Sequence, residues 1–128
     1  VNKNPFITQF VELEIIDGIL HVVFLPGQVI NIDIAKEMVE QRLEYIEGAS
    51  YPILLSGEGV RAINKEARDY MAKEGQLGVL AGAILVHSVY TEFFGNFYLK
   101  VNNTGIPARL FRNKQEALKW LEQFKPKS

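Results

Sequence analysis

The chain contains no cysteine, which removes disulfides, thiol nucleophiles and thiolate-held metals from consideration. Histidine is nearly as scarce: His21 and His87 are the two present, far apart and without a neighbouring carboxylate cluster. No metal ligand set results, and neither a metal nor a cofactor is expected. An excess of one charge is also lacking. Fourteen Lys and Arg face fifteen Asp and Glu, for a net charge of −1, so nothing draws the whole molecule to nucleic acid or to an anionic membrane. No apolar run approaches the roughly 18 residues of a membrane-spanning helix. The longest, Leu77 to Val86, is interrupted by Gly78 and Gly82. The opening Val1-Asn2-Lys3-Asn4-Pro5 has neither the basic nor the apolar part of a secretion signal, so a cytoplasmic location without membrane insertion is expected.

What is present suits a folded domain. Of the 128 residues, 48% are apolar and 23% charged, a balance that supports a buried core and argues against disorder. The length fits one domain, residues 1–128, with 1–9 expected to be a flexible lead-in. Val11 to Ile16 alternates as a half-buried strand does, Asp17-Gly18 supplies a two-residue turn, and Ile19 to Leu25 returns. This turn sets Ile15 opposite Leu20, Glu14 opposite His21, Leu13 opposite Val22 and Val11 opposite Phe24. One face thereby gathers Val11, Leu13, Ile15, Leu20, Val22 and Phe24 as a core face. The other, with Glu12, Glu14, Ile16, Ile19, His21 and Val23, is mixed.

Beyond Pro26-Gly27, Asp33 is the expected cap of a helix that runs to Glu47 and stops at Gly48. Its apolar stripe is Ala35, Met38, Val39, Leu43 and Ile46. Pro52 to Leu55 reads as a short buried strand, and Asn64 caps a helix from Lys65 to about Lys73. Val79 to His87 reads as a strand covered on both faces, with Gly82 and Ala83 permitting close packing. Ser88 caps a predicted helix from Val89 to about Lys100, Ile106 to Phe111 forms the last strand, and Asn113 caps the last helix. The order ββαβαβαβα predicts an α/β fold, a mixed sheet of about five strands with helices mainly on one face.

No residue set announces catalysis, and a non-enzymatic role is expected. His21 beside Glu14 reads more simply as a cross-strand charge pair than as an acid–base pair. Ser88 adjoins His87, but adjacent strand residues point apart, so Ser88 reads as a cap and not as a nucleophile. Ser56-Gly57-Glu58-Gly59 follows a strand and could cradle an anion, with Arg61, Lys65 and Arg68 nearby, though no complete phosphate-loop motif is present. Gly57, Gly59, His87 and Tyr90 are the candidate ligand-binding residues. The segment 89–100 carries Phe93, Phe94 and Phe97 beyond what one buried stripe needs. These phenylalanines, with Ile16, Ile19 and Val23 of the mixed hairpin face, are the candidate interface residues. A homodimer is the expected assembly, since symmetric dimers are the commonest oligomers. Another regulatory protein is the alternative partner.

Ile106-Pro107-Ala108-Arg109-Leu110-Phe111, followed by Glu116-Ala117-Leu118-Lys119-Trp120-Leu121, resembles the closing segment of small bacterial STAS-like proteins, the SpoIIAA-like group. Tyr51-Pro52-Ile53-Leu54-Leu55 and Asn64-Lys65-Glu66-Ala67-Arg68-Asp69-Tyr70 are similar to that group's third strand and second helix. The resemblance implies a STAS-like sheet with four helices and a protein-interaction or regulatory module. Phospho-regulated members carry a serine where the second helix begins. Here Val60-Arg61-Ala62-Ile63-Asn64-Lys65 holds neither Ser nor Thr, so a phosphorylation switch is not implied. A likeness of some relatives to lipid-carrying Sec14 domains implies an alternative, a binder or sensor of a small lipophilic or anionic ligand.

Overall fold

Asp17 and Gly18 both adopt left-handed backbone angles (φ 51° and 78°), the combination that lets a two-residue turn match the twist of its strands. They join β2 (Val11–Ile16) to β3 (Ile19–Phe24) in the expected register, with Leu13 opposite Val22 and Glu14 opposite His21. The computed structural model describes residues 2–86 and 105–126. Their remaining elements are β1 (Lys3–Ile7), β4 (Gln28–Ile30), α1 (Ile32–Ile46), β5 (Tyr51–Ser56), β6 (Val60–Ile63), α2 (Lys65–Lys73), β7 (Val79–Leu85), β8 (Ala108–Phe111) and α3 (Lys114–Leu121). Short 3-10 turns follow α2 and α3.

The main sheet has six strands in the order β1-β2-β3-β5-β7-β8. β1, β2 and β3 are antiparallel, and β3, β5, β7 and β8 are parallel. A second, parallel sheet pairs β4 with β6. The strand beyond the expected five is β1, so the start of the chain is not a flexible lead-in. Lys3, Phe6 and Ile7 pair with Ile15, Leu13 and Glu12 across an irregularity. The Tyr45 hydroxyl, from α1, bridges that irregularity. It accepts from the Ile15 amide at 3.2 Å and donates to the Asn4 carbonyl at 2.7 Å. This satisfies backbone groups that the interrupted ladder would otherwise leave unpaired. Pro5 and the irregular register hide β1 from alternation-based reading, because a proline donates nothing to the ladder.

Two apolar layers flank the sheet. On one face Leu13, Ile15, Leu20, Val22, Ile53 and Ile84 pack against α1 and α2 through Ala35, Met38, Ile46 and Ala67. On the other, Ile19, Leu54, Ala81, Ala83 and Phe111 pack against Ala117 and Leu121 of α3. Of the mixed hairpin face, Ile19 alone joins this second core, while Val23 stays exposed. α1 is capped two residues earlier than expected: Asn31, not Asp33, is extended and accepts from the Ile34 amide. Asn64 and Asn113 cap α2 and α3 as expected, accepting from the Ala67 and Glu116 amides. No described helix is long and apolar enough to cross a membrane.

Candidate functional site

The expected interface and ligand residues separate into three groups. His87, Tyr90, Phe93, Phe94 and Phe97 lie outside the described residues, as does Ser88. Ile19 is 3% exposed and belongs to the core beneath α3, so it is withdrawn from any interface. Ile19 shares that core with Leu54, Ala117 and Leu121, a long-range association that strand alternation cannot register. Ile16 is half-buried, and Val23 is 43% exposed.

Val23 meets Gly59 at a solvent-open groove lined also by Phe24, Pro26, Ser56 and Arg61. It lies at the C-terminal ends of β3 and β5, the side on which open α/β sheets tend to bind ligands. The glycines do not form an anion cradle there. The Val60 amide donates to the Gly57 carbonyl at 3.0 Å, closing a tight turn into β6 and not into a helix. A Cβ on Gly59 would stand 2.3 Å from the Phe24 carbonyl oxygen and 2.4 Å from that of Leu25. Glycine is required at 59 by backbone packing. Nearby, Lys65 pairs with Asp69 within α2 at 3.2 Å, and Arg68 donates from α2 to the Ile63 carbonyl at the end of β6.

His21 and Glu14 are opposed across the hairpin, but the charges acting on the imidazole are others. Burial pushes the His21 pKa down, Lys114 pushes it further down, and Asp17 acts weakly upward. These effects favour the neutral imidazole, and Glu14 is not among the groups that shift it. Among the described residues no group of His, Asp and Glu is placed to hold a metal.

A second feature lies under α1 and α2. Across the main sheet one row runs Leu20, Ile53, Gly82, Ala108, so the row falls from large side chains to almost none. Above the small end is a cavity of about 70 Å³, walled by Val22, Ile53, Ile84, Met38 and Met71. A Cβ built on Gly82 would meet none of the described residues within 4 Å. Among the described residues, then, none packs closely on Gly82, and the glycine leaves space. Interior glycine in a strand often marks a bulge, a tight bend or a close approach of ligand or backbone.

Arg42 lines the same cavity. It follows Met38 by one helical turn on the buried face of α1 and is 8% exposed. Its Nη2 donates to the carbonyls of Gly75 at 2.6 Å and Leu77 at 3.1 Å, clamping α1 to the turn before β7. Its Nε has no partner, and no carboxylate pairs with it among the described residues. Burial pushes its pKa down to about 10, opposed by Tyr70. Desolvating a cation without a counter-ion is costly. Arg42 was legible only as an interruption of the α1 stripe: it stands four residues from both Met38 and Ile46.

The class these features define is an α/β protein with a SpoIIAA-like fold. The solved structure of an uncharacterised DUF3478-family protein from Shewanella loihica PV-4, described as having a SpoIIAA-like fold, matches with a TM-score of 0.60 and 16% identity, over 87% of this chain and 91% of that one. The chain belongs to the family described as a domain of unknown function, DUF7793, whose model matches residues 13–125. A search of functionally curated proteins finds no match.

Proposed function

We propose that the protein is a non-enzymatic regulatory module of the cytoplasm that works by binding a protein partner, first of all a second copy of itself. The observation that carries this reading is the groove at the ends of β3 and β5. Val23 there is an exposed β-branched side chain in a strand that is otherwise well buried, and Pro26 and Arg61 border it. Apolar contact ringed by polar residues, with an arginine at the rim, is the usual composition of a protein contact. The SpoIIAA-like fold supports the reading by analogy alone.

Sedimentation velocity over a concentration series, extended to hundreds of micromolar because the groove is shallow, tests this directly. The wild-type chain is expected to show a concentration-dependent dimer, and Val23→Asp a monomer with unchanged melting temperature. A wild-type chain that stays monomeric throughout would sink the self-association reading. A Val23→Asp dimer as stable as the wild type would move the contact elsewhere.

A further inference from the structure

We propose that the cavity between Gly82 and Arg42 is a binding site for a small organic monoanion, a carboxylate on a short apolar chain. The inference is independent of self-association and lies on the opposite face of the sheet from α3. Three observations converge on it. The walls are mainly apolar, contributed by β2, β3, β5, β7, β8, α1 and α2, with Gln76 at the turn before β7. The one cation that lines it is more than nine-tenths buried, lacks a carboxylate among the described residues, and has an unpartnered Nε–H. Position 82 has no side chain, although none of the described residues lies within 4 Å to obstruct one.

The parts assign the ligand's two ends. Nη2 is already engaged with two carbonyls, and the buried, unpartnered Nε is a donor free for one carboxylate oxygen, a charge-assisted bond in a low-dielectric setting. The anion would neutralise the guanidinium and draw its pKa back toward the ordinary arginine range. The chain would lie over Gly82 against Ile53 and Ile84. Size sets the length. A cavity of about 70 Å³ is roughly half the ~150 Å³ that accepts benzene, so only a few carbons fit. Met38 and Met71, unbranched and adaptable, give the walls some tolerance. A long-chain lipid is too large for it.

Titration of the full chain with acetate, propionate, butyrate and hexanoate, followed by amide chemical shifts and calorimetry, tests the site. Affinity is expected to rise by about fourfold per methylene until the cavity is full, and then to fall. Butyramide, of the same shape without the charge, should bind at least about tenfold more weakly. Gly82→Val places a side chain in the open space and should abolish binding while leaving the melting temperature unchanged or higher. Arg42→Gln should remove the preference for butyrate over butyramide. The proposal is overturned if no acid binds saturably at millimolar concentrations, if butyramide binds as well as butyrate, or if folded Gly82→Val binds like the wild type.

Discussion

At position 42 an arginine occupies a site where the helix stripe calls for an apolar residue, and at position 82 a glycine occupies one where the strand calls for a branched one. Each departure has a cost. A void of about 70 Å³ corresponds to about 2 kcal/mol at roughly 24 cal/mol per Å³. An unsatisfied buried donor such as Arg42 Nε adds about 1–3 kcal/mol. Gly82→Ala should therefore stabilise the protein by about 1–2 kcal/mol, from reduced chain entropy and one more buried methyl. A rise in the urea midpoint at unchanged slope would show it. His21 makes a second prediction. Its native pKa lies below the unfolded value near 6.5, so as pH falls through 6.5 the unfolded chain takes up a proton first and the folded state loses stability. His21→Asn should flatten the urea midpoint between pH 7.5 and 5.5 relative to the wild type. Neither Arg42 nor Gly82 stood out in the sequence as a site. Composition and spacing register them as single interruptions of two separate patterns, and only the packing of α1 over β7 places them on one cavity.

The elements most legible in the sequence are those specified by local chemistry. The Asp17-Gly18 turn sets the β2–β3 register because only left-handed backbone closes so short a loop with the right twist. Asn64 and Asn113 cap their helices because a short side-chain amide reaches the free amides of the first turn. The start of α1 was misread because Asn31 and Asp33 are both competent caps two residues apart, and Asp33 instead lends its charge to the first turn. Asn31→Ala should accordingly lower stability by about 1 kcal/mol, and Asp33→Ala by only a few tenths; thermal denaturation of the two variants separates them. β1, β4 and β6 were not legible. β1 depends on a hydroxyl from α1, and β4 and β6 have only each other as partners. These short strands are defined by neighbours distant in the chain, not by their own alternation.

For the molecule as a whole, the fold class followed from the alternation of strands and helices after one hairpin, and the SpoIIAA-like structure agrees. The second core did not follow, since it forms where α3 meets β5, β7 and β8, and Ile19 is the one residue it takes from the hairpin. The candidate groove was half legible: Val23 and Gly59 were singled out for different reasons, and the fold brings them to one place. If the groove is the contact, dimerisation should leave the cavity's carboxylate affinity unchanged, because the two sites share no wall except through Phe24. Calorimetric titration above and below the dimer midpoint would check this. The strand order β1-β2-β3-β5-β7-β8 also has a consequence for synthesis. Each strand joins the outer edge of those already made, and none must be threaded between two that came before. A chain leaving the ribosome can therefore build its sheet in the order of translation, always with one edge waiting. β8 and α3, translated after the other strands, close the face holding Leu54, Ala81 and Ala83, so a chain halted before Ala108 would lack that cover on the apolar strip.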